Sequence, residues 1–154
     1  MPLEEYVCNE GWVEGIVYDT EGSVGIRANP DATSKIIHKV KSGTPTFFRV
    51  LENGWGEAVV YEKGFEDQTD KDDICYIHET RLFMKAKNTD PTPPTKIRAG
   101  PGYDTAIVGE VGVEVPVYMQ SEEQTDWVAV VAGDINKGFI HGFVRKELLK
   151  GAIE

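Results

Sequence analysis

Ile26-Arg27-Ala28-Asn29-Pro30 and Ile97-Arg98-Ala99-Gly100-Pro101 are one phrase written twice, 71 positions apart. At the same shift Ile36 meets Ile107, Val40 meets Val111 and Pro45 meets Pro116, so seven of twenty aligned positions are identical. Further on the match drifts. Trp55 answers to Trp127 one residue out of step, Tyr76-Ile77-His78 to Phe143-Val144-Arg145, and Leu82 to Leu149. The drift falls between the matching runs, where surface connections tolerate insertion. A repeat at so long a period gives each copy enough chain to be a small domain. The expected division is 1–86, a first copy with an N-terminal extension, and 87–154, a second copy. Between them Pro91-Thr92-Pro93-Pro94 fixes φ and removes amide donors, which favours a stiff, extended segment, either a linker or the first loop of the second copy.

Both copies read as short strands. Val113, Val115, Val117 and Met119 alternate with period two and are expected on one face, and Trp127 to Val131 is a second β-prone run. In the first copy 46–51 and 55–61 play these parts, joined by the tight-turn signal Glu52-Asn53-Gly54. Ile16 to Tyr18 is expected to form the first strand, with Trp12 covering either an open end of the first copy or the other copy. The one helical candidate is Arg145 to Lys150, stopped by Gly151. Regular short strands with turn signals between them predict an all-β protein of two small barrels.

These residues resemble the bacterial SH3 family (SH3b, or SH3-type 3). Its pattern is an apolar residue, Arg, a small residue, any residue and Pro, then an Ile/Val strand, a Gly-Trp pair, an aromatic-Val strand and a closing Leu. The second copy matches with Ile97-Arg98-Ala99-Gly100-Pro101-Gly102, Ile107-Val108-Gly109, Trp127-Val128, Gly142-Phe143-Val144 and Leu148-Leu149. The first matches with Ile26 to Pro30, Ile36-Ile37, Gly43, Gly54-Trp55, Tyr76-Ile77 and Leu82. Together the matches span roughly 15–150. The resemblance implies two tandem SH3-like β-barrels and non-enzymatic recognition of a peptide, most often from the cell wall. The copies depart from the pattern in their loops. Asn29 and Asp31 stand where the second copy has Gly100 and Gly102, 62–73 is an acidic insertion, and Thr125-Asp126 precedes Trp127.

The candidate ligand-binding residues are aromatic: Tyr18, Trp55, Tyr61, Tyr103 and Trp127. A flat ring gives large contact area at small entropic cost, although Trp55 and Trp127 also suit half-buried packing at a barrel edge. Arg27 and Arg98 each precede a small residue and a turn proline. They are expected to pin the neighbouring loop, the other reading being capture of a ligand carboxylate. Glu66, Asp67, Asp70, Asp72 and Asp73 form a candidate acidic contact loop, which lacks the glycine and terminal glutamate of an EF-hand.

No catalytic residue is assigned, and no metal or cofactor is expected. His38, His78 and His141 have no His or Cys at metal-ligand spacing. His78 follows Cys75 by three residues on one strand, so the two side chains should face opposite ways and not pair. Cys8 and Cys75 are too few for a disulfide scaffold; two reduced thiols or one bridge remain open.

A net charge of −10 disfavours nucleic acid, anionic lipid and anionic polymers, which need clustered cations, and favours a basic partner. Two functions follow as expectations. One is a module binding cell-wall peptide or another peptide or protein ligand. The other is a cytoplasmic interaction or immunity-type protein whose acidic surface masks a basic partner. The start Met1-Pro2-Leu3-Glu4-Glu5-Tyr6 has no signal-peptide character. A cytoplasmic location is therefore expected if Met1 is the natural start, and an extracytoplasmic one otherwise. A monomer or weak dimer is expected.

Overall fold

A computed structural model describes residues 11–61, 74–88, 95–111, 115–120, 126–134, 136–145 and 149–151. The described chain is all-β, with thirteen strands and a single 3-10 turn at Glu79–Arg81. It divides into two compact units, Met1–Leu82 and Phe83–Glu154; the sequence put the division at 86/87.

The first unit holds β1 (Val13–Val17), β2 (Ser23–Arg27), β3 (Ile36–Lys41), β4 (Pro45–Val50), β5 (Trp55–Val60) and β6 (Cys75–His78). They lie in the order β3-β2-β6-β5-β4-β1, and every pairing reported for them is antiparallel. The second unit holds β7 (Leu82–Asn88, whose first residue still belongs to the first unit), β8 (Thr95–Arg98), β9 (Ile107–Val111), β10 (Val117–Met119), β11 (Trp127–Asp134), β12 (Gly138–Arg145) and β13 (Leu149–Gly151). Read from its edge, its order is β9-β8-β12-β11-β10-β7, with β13 also on β7. Strand for strand this is the order of the first unit. The repeat in the sequence is therefore a repeat of topology, and it extends into β4 to β6 and β10 to β12, where few residues are shared.

Among the described residues each ladder has two ends, so the pairings alone do not close either unit into a barrel. In the first unit the turn between β3 and β4 is tied to the end of β1, continuing the β1–β4 ladder. The Val17 amide donates to the Thr44 carbonyl, the Gly43 amide donates to the Val17 carbonyl, and the Ser42 hydroxyl donates to the Asp19 carbonyl at 2.8 Å.

Alternation along the strands builds the cores. In the second unit Val128, Val130 and Ala132 of β11 point inward with Ile97, Val117, Met119, Val144 and Leu149. In the first unit Ile16, Val24, Ile26, Val40, Phe48, Ala58, Ile77 and Leu82 are buried. Gly56 lies close against the Leu82 side chain, so a larger residue there would have to displace the end of that side chain. The first unit also buries its opposite face. Trp12 stacks on Phe47 at 5.9 Å and clusters with Val59 and Ile74. Trp12 thus packs on the β4–β5 face, and β5 is buried on both sides along most of its length.

Two expectations need correction. Both described ends of the helical candidate Arg145 to Lys150 are strand: Arg145 ends β12, and Leu149–Gly151 pairs with Ala86 to Asn88 of β7, while 146–148 lie outside the described residues. Ladder hydrogen bonds and the burial of Leu149 outweigh a weak local helix propensity. Val115 is not in register with the buried face of β10: it precedes Pro116 and is exposed, whereas Val117 and Met119 turn inward, and Val113 lies outside the described residues.

Candidate functional site

The same corner is built in both units. Arg27 on β2 sits opposite Tyr76 of β6, and Arg98 on β8 sits opposite Phe143 of β12. One strand over, Trp55 faces His78 and Trp127 faces Arg145 across antiparallel ladders. Directly opposed side chains on one face meet. The Trp55 and His78 rings are 5.2 Å apart edge to face, and the Arg145 guanidinium lies 6.0 Å from the Trp127 ring centroid.

The loop after the arginine completes the corner. Arg98 Nη1 donates to the carbonyls of Tyr103 at 2.9 Å and Thr105 at 2.8 Å. The Thr105 hydroxyl lies within hydrogen-bond reach of the Gly100 and Gly102 carbonyls. In the first unit Arg27 Nη1 donates to Ser34, the counterpart of Thr105, at 2.6 Å, and the Ser34 hydroxyl donates to Asn29. The arginines therefore pin the loop through carbonyls, as one of the two sequence readings had it. A guanidinium suits this because its planar donors hold a fixed geometry.

The units diverge at the loop tip. Tyr103 is 67% exposed, and its ring meets Trp127 edge to face at 5.0 Å with the Arg98 guanidinium 5.3 Å from its centroid. Its counterpart in the first unit is Ala32. There the loop is tied from the other side: Asn53 donates to the Pro30 carbonyl at 3.2 Å and accepts from the Trp55 amide. The second unit thus presents an exposed ring on a half-buried one, with two guanidinium groups beside them.

Of the candidate residues the structure brings together Tyr103 and Trp127. Trp55 and Tyr61 stand at opposite ends of β5, about 20 Å apart at the usual rise per residue. Tyr61 is exposed, while Tyr18, just past β1, is half-buried. Burial pushes the Tyr18 hydroxyl up, and the Asp19 carboxylate adds to the shift. Glu66, Asp67, Asp70, Asp72 and Asp73 lie outside the described residues, as does Cys8.

Cys75 is a buried free thiol. Burial pushes its pKa up to about 12, and it donates to the Ala58 carbonyl at 3.3 Å. His78, exposed at the end of the same strand, accepts from the Thr80 amide instead.

Sequence reasoning missed Arg145 and His78 as members of the corner. The signal was there, since Tyr76-Ile77-His78 aligns with Phe143-Val144-Arg145, but the facing residue depends on strand register. It also missed an open groove of about 410 Å³ in the second unit, lined by Glu110, Val115, Gly133, Lys137, Phe139 and Ile140 among others.

No family model matches the chain, and no curated protein matches it. Among solved structures the chain is similar to NlpC2 and NlpC1 of Trichomonas vaginalis, each with a TM-score of 0.35 and 14% identity over 92% of this chain. It spans about half the length of each, 49% of the first and 46% of the second.

Proposed function

We propose that the protein is a non-enzymatic binding protein of two SH3-like units, and that the second unit takes a peptide or protein ligand on the surface formed by Tyr103 and Trp127. The observation that carries this is the exposure of Tyr103 on a ring already fixed by Trp127 and Arg98. An exposed aromatic held in one orientation loses little further entropy when a ligand covers it. One feature supports the SH3-like reading of each unit: both set six short strands in the same order. The first unit, with Ala32 and the Asn53 tie, serves as the structural copy.

The ligand expected first is a short wall-type peptide. An acidic protein masking a basic partner is the second reading, and the net charge of −10 favours it. Calorimetry with soluble peptidoglycan stem peptides and with oligolysine separates the two. Saturable binding of stem peptide, lost in Tyr103→Ala, supports the first. Binding of oligolysine alone, collapsing with added salt and unchanged in Tyr103→Ala, supports the second. Cleavage of either peptide by the purified chain would overturn both.

A further inference from the structure

β3 and β9 end the strand orders of their units, and each pairs on one side only among the described residues. They occupy the same place in the repeat and carry the same apolar pair, Ile36-Ile37 and Ile107-Val108. All four side chains are more than two-fifths exposed. An exposed strand edge offers unpaired amides and carbonyls to another strand, and natural proteins blunt such edges or use them.

The two edges differ in charge. Lys39 and Lys41 lie in β3 and Lys35 immediately precedes it, while β9 carries no cation and has Glu110. We infer that β3 of one molecule adds to β9 of a second copy of this chain. Each edge carries a β-bulge at the matching position, Ile37 in β3 and Val108 in β9; with the two bulges opposed in an antiparallel sense, Lys35 lies toward Glu110 and Lys39 toward Ala106. Opposite charges directly across a ladder stabilise it, and like charges destabilise it. Pairing β3 with another β3 about Ile37 sets Lys35 against Lys39, so that contact is disfavoured. Pairing β9 with another β9 about Val108 sets Glu110 against Ala106 and forms no ion pair. The charge pattern therefore selects the unlike pair. Such a contact is head to tail: each molecule keeps one β3 and one β9 unused after the first contact, so association continues past a dimer unless the geometry closes a ring.

Sedimentation velocity of the full chain over a concentration series at low salt tests this. The weight-average mass is expected to rise with concentration and to exceed a dimer. Glu110→Lys, and separately the double variant Lys35→Glu with Lys39→Glu, are each expected to weaken association by at least about tenfold. An equimolar mixture of the two variants is expected to associate again, because each supplies the edge the other lacks. All three positions are exposed, so the variants should fold, and recovery on mixing shows that they have. A wild type that stays monomeric at every concentration would overturn the proposal. So would association unaffected by the charge reversals, or variants that stay monomeric when mixed.

Discussion

Arg98 holds the carbonyl of Thr105 at 2.8 Å, and 71 residues earlier Arg27 holds the carbonyl of Ser34 at 2.6 Å. One guanidinium fixes the loop in each unit, and in the second unit it also lies beside the Tyr103 ring. Removing it is therefore expected to lower stability and, on the proposed function, ligand binding. Arg98→Gln is expected to cost about 1.5–3 kcal/mol, the range for hydrogen bonds to a charged group. Arg98→Lys keeps the charge without the planar geometry and should recover only part of that loss. Denaturant unfolding of the full chain measures both.

Trp127 and Tyr103 touch, yet they should fail in different ways. Trp127→Ala truncates a half-buried ring beside the second core and is expected to destabilise that unit by roughly 2–4 kcal/mol. Tyr103→Ala removes a ring that is 67% exposed and should change stability by less than about 1 kcal/mol while abolishing binding. A Trp127→Ala chain of full stability that had lost only binding would make Trp127 a ligand residue and nothing more.

Cys75 should be inert in the folded chain. Its pKa is pushed from 9.0 up to about 12, chiefly by burial. In the unfolded chain the thiol ionises as pH passes 9.0, while in the folded chain it stays protonated. Its contribution to stability is thus intact below 9.0 and declines as pH climbs toward 12. With a thiol reagent at pH 8 followed by peptide mapping, Cys75 is expected to label only in denaturant. Labelling in the native state at the unfolded rate would contradict its burial.

Acid should loosen the β1 corner. The amide of Glu21 holds the Asp19 carboxyl below its ordinary 3.8, outweighing the opposing effect of burial, and the Arg81 guanidinium 2.5 Å away adds to the lowering. A depressed folded pKa contributes stability above the unfolded value, which is lost as pH falls through the folded one. Unfolding midpoints should therefore fall below about pH 4, and Asp19→Asn should flatten part of that fall. An identical acid profile in the variant would remove Asp19 from the account.

The fold was legible where identical residues meet identical demands. Ile26 to Pro30 and Ile97 to Pro101 announced the copies because that segment must supply a core isoleucine, the loop-pinning arginine and a turn. β11 was visible because it is buried on alternate positions and rich in valine. Arg145 to Lys150 misled because Leu148-Leu149 carries no signal of the partner strand, and Leu149 is in β13 only because β7 offers it a ladder. The site was half legible. Tyr103 and Trp127 stood out as aromatic residues near turns, but their contact, and the place of Arg145 beside Trp127, depend on a register that no local pattern encodes.

On the proposed function the second unit binds the ligand and the first supports it. Amide and indole NMR spectra of the full chain, titrated with soluble stem peptide, test it most directly. Shifts confined to 100–105, the Trp127 indole and Arg145, with 28–34 and Trp55 unmoved, are the expected result. Shifts centred instead on Trp55, or on Phe139 and Ile140, would contradict it.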